Sequence, residues 1–460
     1  MKTTTEINED IFREYDIRGI YNKDLTDDSV YTIGLAIGSI MKKMEKNTII
    51  VGRDNRLSSP YLFDALTKGL IDAGINITNL GLVTTPMYYY ALYKLKKDSG
   101  VMITGSHNPK EYNGFKISFN GLYNALGKEI KNIYDVIEKK DFVYELGQID
   151  NYDIKEEYIS YITSSINIGS NPIRIGIDPG NGTSSIIIKD VLDKLNLNYI
   201  SINDISDPNF PNHHPDPSKN ENLKQLQDLV IDNKLDLGIA YDGDADRAGF
   251  VDEKGNIMET DQFMIIVLRN TLNSFNDKRV LYDVKCSRAL EDEIVKLGGT
   301  PIQYRTGNSY MREKVIKDNI PLGVEFSGHI WFNDKFYGAD DGIYASLRMI
   351  EILSNTDKRV TELLEGISKY YSTDEIKFDT TDENKFIIVD KMKEYAKDKG
   401  YQFIDIDGVK VLFEDGFVLV RASNTTPTIT TRFEAKTEDR LNEIQKEFTN
   451  VLNRLIEEIR

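Results

Sequence analysis

The chain has 460 residues, 40% of them hydrophobic and 28% charged, enough apolar material for about two to four globular domains. Its 57 basic and 74 acidic side chains leave a net charge of −17, which speaks against non-specific binding to nucleic acid or to an anionic membrane. No apolar run reaches the ~18–20 residues that a membrane-spanning helix needs. Met1–Glu6 lacks the apolar core of a secretory signal and Cys286 is the only cysteine, so a reducing cytoplasm and no internal disulfide are expected. Any anionic substrate must be drawn in by a local basic cleft against the overall field.

In chain order, short apolar runs end abruptly in polar or glycine-rich residues. Asn47–Val51 leads into Gly52–Arg56, Ile173–Ile177 into Asp178–Gly182, and Arg279–Tyr282 into Asp283–Arg288. Each reads as a buried strand, a turn and then helix. A second strand follows each: Val101–Thr104 before Gly105–Pro109, Leu237–Tyr241 before Asp242–Arg247, and Ile320–Val324 before Glu325–His329. Three strand–helix–strand units therefore each end in a loop rich in reactive side chains, where open α/β sheets bind ligands. From about Asp374 the rhythm changes. Phe386–Lys397 reads as an amphipathic helix, Val409–Phe413 and Phe417–Val420 as a hairpin, Thr428–Glu434 as a strand and Leu441–Ile459 as a closing helix. The expected class is α/β: three similar α/β domains at 1–150, 151–254 and 255–370, then a smaller α+β domain at 371–460.

Asp242, Asp244 and Asp246 alternate along an extended loop, so their carboxylates can share one side. Three such charges repel unless a divalent cation sits between them, and an oxygen-only set favours Mg²⁺, Mn²⁺ or Ca²⁺ over zinc. Glu253 stands twelfth from Asp242, as in a calcium-binding EF-hand, but Arg247 replaces the glycine at the sixth position and a strand precedes the loop. A solvated acidic turn is the other alternative. Ser106, in Thr104–Pro109, stands on a tight turn with Gly105 beside it; His107 and Lys116 can serve a phosphoryl group on its hydroxyl, though the same residues make ordinary turns. Arg421–Pro427 with Arg432 offers hydroxyls, an amide and two guanidinium groups to an oxyanion, or else a polar hairpin turn. Glu325 and Ser327 suit vicinal hydroxyls; the competing role for Glu325 is capping the next helix. Gly180-Asn181-Gly182 lacks a dinucleotide fingerprint, no phosphate-binding Gly-x-x-x-x-Gly-Lys-Ser/Thr occurs, and His213-His214 reads as loop structure. Tyr88–Tyr90 reads as helix packing.

Together these loops resemble the α-D-phosphohexomutase superfamily, most closely its bacterial phosphomannomutase/phosphoglucomutase branch. Four signature loops occur in the family's order, at Thr104–Pro109, Asp242–Arg247, Glu325–His329 and Arg421–Pro427 with Arg432. Tyr15–Gly19, Asn113–Lys116, Asp283–Lys285 and Gly338–Gly342 match as well. The resemblance implies four domains, with mixed sheets in the first three, around a central cleft. It implies a phosphoserine at Ser106 and Mg²⁺ held by a phosphate oxygen with Asp242, Asp244 and Asp246. Lys116, Arg18 and Arg247 would stabilise charge, His107 would assist the phosphoserine, and His329 or Lys116 would act as base. Tyr15, Arg18, Lys285, Asn308, Glu325, Ser327 and His329 would bind the substrate around its sugar, and Arg421, Ser423, Asn424, Thr425 and Arg432 its distal phosphate. The implied activity interconverts hexose 1- and 6-phosphates of mannose, glucose or both through hexose 1,6-bisphosphate, with the enzyme a monomer or dimer. Asn308 stands where the branch usually has His, Phe326 where Met is usual and Ala245 where Gly is usual. Phosphoglucosamine mutase is the alternative within the superfamily, opposed by Phe326; a sugar-phosphate sensor or a phosphatase are those outside it.

Overall fold

The computed structural model describes residues 1–423 and 426–459. The first three parts of the chain repeat one sheet plan. In the first, Thr48–Arg53 pairs in parallel with Gly100–Ile103 on one side and Asn76–Leu82 on the other. In the second, Arg174–Asp178 takes the same central place between Leu237–Tyr241 and Asn198–Ser201. In the third, Arg279–Asp283 lies between Leu322–Val324 and Thr300–Tyr304. Each parallel set then acquires an antiparallel neighbour: Tyr112–Asn120, Ala248–Asp252 and Ile330–Phe332 respectively. The sheets are therefore mixed.

One expectation needs correction. The paired strands are not joined by a single helix; a further strand and a second helix intervene in every repeat, for example Ser59–Asp72, Asn76–Leu82 and Thr85–Lys94 in the first. The overlooked strands are half-buried or exposed at most positions (Ile77 and Leu80 are the buried exceptions in the first) and carry polar residues, such as Asn76, Thr78 and Asn79. They therefore lack the continuous apolar run that marks a fully buried parallel strand.

Local chemistry explains where the helices begin. Thr26 accepts a hydrogen bond from Ser29 N at 3.2 Å and closes a capping box ahead of Asp27–Lys43, whose first turn carries Asp27 and Asp28 and whose last turn carries Lys42 and Lys43. That charge order complements the helix dipole. Thr84 caps Thr85–Lys94, with Pro86 in its first turn, and Asp341 caps Gly342–Ser354. Tyr88, Tyr89 and Tyr90 are buried, in a core that runs from the first unit through the second and third.

The last part is an antiparallel sheet in which Thr428–Ala435 pairs with Gly416–Ala422, which pairs with Val409–Phe413. Helices Asn384–Asp398 and Glu438–Ile459 contribute to its separate core. No helix among the described residues is long and apolar enough to cross a membrane.

Candidate active site

Ser106 follows the buried strand Gly100–Ile103 and has φ +48°. Its hydroxyl donates to Asp242 Oδ2 at 3.1 Å and lies 3.2 Å from His107 Nδ1. The turn is gripped through its carbonyls. Arg56 donates to Ser106 O (2.7 Å), Asn108 O (2.6 Å), Pro109 O (2.6 Å) and Tyr112 O (3.0 Å), while Arg18 donates to Gly105 O at 2.6 Å. A Cβ on Gly105 would come within 2.4 Å of the Arg56 guanidinium, which is why glycine is required there. Arg56 was not among the residues expected from sequence, although it closes the polar run Gly52–Arg56 at a strand end.

The aspartate loop follows Leu237–Tyr241, and all three carboxylates are fully buried. Asp244 Oδ2 accepts from Thr85 Oγ1 (2.6 Å), Thr104 Oγ1 (3.1 Å) and Lys116 Nζ (2.8 Å); Asp246 Oδ2 accepts from Lys116 Nζ at 2.5 Å. Asp244 Oδ1 and Asp246 Oδ1 are buried without a hydrogen-bond partner. One oxygen from each of the three aspartates falls within 4.8 Å of the others. Orphaned carboxylate oxygens in a buried, oxygen-only cluster fit a hard divalent cation. Glu253 accepts from Thr361 instead, so it takes no part in this cluster.

The charges are strongly perturbed. Burial, then the neighbouring Asp244 and Asp246, push the Asp242 carboxyl well up. Burial also raises Asp244, but Lys116 and the hydrogen bonds around it outweigh that and hold it down. Burial alone would lower Lys116, yet Asp244 and Asp246 keep it well above the usual lysine range, so it stays charged. Burial, followed by Arg247 and Arg18, drives His107 well below its ordinary value.

The third loop joins the second directly: Arg247 and His329 form an antiparallel bridge, and Arg247 Nε donates to His329 Nε2 at 3.0 Å. Glu325 Oε1 accepts from Ser327 Oγ at 2.5 Å and Oε2 from Gly307 N at 2.9 Å, rather than capping a helix. Asn308 opens the helix Asn308–Lys317 just after Gly307. Tyr15 reaches the same region from the first unit, and its phenol is pushed up to about 12 by burial, then by Asp16 and Glu325.

The fourth unit meets the third. Arg432 donates to Lys285 O and stacks 3.9 Å over the Phe326 ring. Arg421 Nε donates to Asp407 Oδ2 at 3.0 Å, and Lys285 Nζ lies 3.3 Å from Glu375. Arg421 and Lys285, two of the cations expected to hold substrate, are thus paired with carboxylates that no motif singles out. Asn424 and Thr425 lie outside the described residues; Lys385 supports the neighbouring loop by donating to Ser423 O at 2.8 Å. Beside the third loop runs a groove lined by Lys219, Glu259, Lys285, Phe326, Ser327 and Glu375 among others.

Three α/β sheets with polar loops at their strand ends, followed by an antiparallel fourth unit, define a four-domain α/β architecture. Family models agree along the chain: phosphoglucomutase/phosphomannomutase α/β/α domain I matches residues 9–144, domain II 156–255, domain III 259–371 and the C-terminal domain 375–451. A phosphoglucomutase of Neisseria gonorrhoeae is 40% identical over 450 residues, 97% of each chain. A phosphomannomutase/phosphoglucomutase of Pseudomonas aeruginosa is 39% identical over 442 residues, 96% of this chain and 95% of the relative. The crystal structure of a phosphoglucomutase/phosphomannomutase family protein from Burkholderia thailandensis superposes with a TM-score of 0.91 at 35% identity, covering 98% of both chains. The chain belongs to the phosphoglucomutase/phosphomannomutase family of enzymes.

Proposed function

We propose that this enzyme interconverts hexose 1-phosphate and hexose 6-phosphate, of mannose, glucose or both, by way of a phosphorylated Ser106 and a hexose 1,6-bisphosphate. The observation that carries this reading is the Ser106 hydroxyl, 3.1 Å from Asp242 in a buried trio of aspartates. In the forward step the phosphorus–Oγ bond of phosphoserine breaks as the sugar hydroxyl bonds to phosphorus, and the hydroxyl proton passes to His329 Nε2. Ser106 Oγ leaves as an alkoxide whose charge Lys116 offsets until it attacks the other phosphate in the return step, when His329 gives the proton back to the released sugar oxygen. Lys116, held charged by Asp244 and Asp246, stabilises negative charge and leaves the proton to His329. Arg18 and Arg247 add to that stabilisation, and His107 packs against the serine. Mg²⁺ bound by Asp242, Asp244 and Asp246 with a phosphoserine oxygen would neutralise charge on the transferring group.

Glu325 and Ser327 take sugar hydroxyls, with Tyr15, Lys285 and Asn308 around them. Arg421, Ser423, Asn424, Thr425 and Arg432 take the distal phosphate, which displaces Asp407 from Arg421. The bisphosphate turns over within the cleft and returns its other phosphoryl group to Ser106. The four catalytic loops come from domains at 1–150, 151–254, 255–370 and 371–460.

Intact mass after incubation with glucose 1,6-bisphosphate tests this. The wild-type chain is expected to gain one phosphoryl group, Ser106→Ala none, and EDTA is expected to block the gain until Mg²⁺ is restored. Turnover retained by Ser106→Ala would remove the phosphoserine from the mechanism.

A further inference from the structure

His329 is 2% exposed and stacks on Trp331 with ring centroids 5.9 Å apart. Its two nitrogens face different chemistry. Nε2 accepts from Arg247 Nε at 3.0 Å, and a guanidinium group can only donate, so Nε2 carries no proton. The proton of the neutral ring is then on Nδ1. Nδ1 lies 2.8 Å from Asp340 Oδ2, an ion-pair approach that is not in line for a hydrogen bond, and both atoms are buried without a hydrogen-bond partner among the described residues. Catalytic hydrogen bonds commonly align fully only around a bound substrate.

Asp340 is fully buried, and its other oxygen lies 3.3 Å from Arg312 Nη1. Arg312 is also fully buried, with its guanidinium carbon 3.9 Å from the centre of the Tyr89 ring. This arginine balances the charge of the carboxylate from behind. Asp246, His329 and Asp340 present ligand atoms within 4.8 Å of one another, a spacing that would also suit a cation. Lys116 on Asp246 and Arg312 on Asp340 already supply two positive charges to that trio, and Nδ1 is occupied by its proton. A hydrogen-bond relay fits these charges; a second metal centre does not.

We propose that Asp340 is the positioning residue for His329, holding the imidazole as its Nδ1–H tautomer so that Nε2, once Arg247 turns from it to the substrate's phosphate, offers its lone pair to the sugar hydroxyl. The proposal deepens, and rests on, the reading of His329 as the base. A carboxylate accepts from Nδ1–H and cannot donate, whereas an amide in its place can turn its NH₂ toward Nδ1 and favour the opposite tautomer. The base then presents a proton where it needs a lone pair.

The test is ¹⁵N NMR of the histidine rings, which is tractable because the chain has four histidines, with the His329→Gln spectrum giving the assignment. The wild-type enzyme is expected to show His329 protonated at Nδ1 and bare at Nε2. Asp340→Asn is expected to lose that tautomer and about 10²-fold in kcat, the lower end of what general base catalysis supplies, with KM held within about threefold. Asp340→Glu, which keeps a carboxylate, is expected to recover the tautomer and part of kcat. An Nε2–H ring in the wild-type spectrum overturns the proposal, and that measurement needs no variant to fold. So does Asp340→Asn keeping either the wild-type tautomer or wild-type kcat. Full activity of His329→Gln would overturn the base reading itself, while the tautomer result, read without turnover, judges the hold of Asp340 on the ring separately.

Discussion

Ala245 adopts φ +67° in the middle of the aspartate loop and is fully buried. A residue with a Cβ carries a cost of about 1–2 kcal/mol in that region, where glycine has none. The sequence marks this position only as one where related chains more often have Gly; the backbone supplies the reason. Ala245→Gly is therefore expected to stabilise the enzyme by about 0.5–1 kcal/mol, the backbone gain less the extra freedom of glycine in the unfolded chain. Thermal unfolding checks it, and a loss of that size would show that the buried methyl matters more than the backbone. The same scale explains Arg56. Its type and place at a strand end were visible, but the four carbonyls it serves belong to a loop about fifty residues away, which no local pattern encodes.

At the scale of elements, the helix Gly342–Ser354 begins at Asp341, which accepts from Tyr344 N and Tyr158 Oη, each at 2.8 Å. Burial dominates, and pushes the Asp341 carboxyl up to about 7. A carboxyl raised on folding binds its proton more tightly in the native chain. Its contribution to stability is therefore full below the unfolded value near ~4 and is lost as pH rises towards 7. Asparagine caps helices as well as aspartate does and carries no charge. Asp341→Asn is expected to unfold at higher temperature than the parent at pH 8, with the gap closing as pH falls to 5; a gap constant across that range would refute the assignment. Strand legibility follows similar physics. Leu237–Tyr241 is buried throughout and was readable to the residue, whereas Asn198–Ser201 and Thr300–Tyr304 lie at sheet edges, where half-exposed polar residues erase the pattern.

For the whole molecule, the question is how the fourth unit meets the third. Asp407 accepts from Arg421 Nε at 3.0 Å on its own unit and from Thr306 N at 3.1 Å across the junction. Arg288 N donates to Glu434 at 2.9 Å, and Val284 packs with Phe417 and Leu419. Removing one carboxylate should loosen this junction without unfolding either side. Asp407→Ala is expected to speed amide exchange at Thr306 by about tenfold, the equivalent of one hydrogen bond, and a hexose phosphate bridging Arg421 and Lys285 is expected to slow it again. Unchanged exchange would mean that the apolar contact alone holds the units together.

The sequence by itself determined the α/β class, the three repeats with their loops at strand ends and the antiparallel tail, all of which rest on short-range patterns of burial and turn chemistry; the roles expected of the four loops came from their resemblance to a known family. Only the tertiary structure decided which partners those loops acquire: Arg56 beneath Ser106, Lys116 between two aspartates, Asp340 behind His329, and Asp407 on Arg421. Each of these pairings brings together distant parts of the chain or groups with no local signal. A buried charge takes as its partner whichever opposite group the packed chain brings within reach, and separation along the sequence carries no record of that choice.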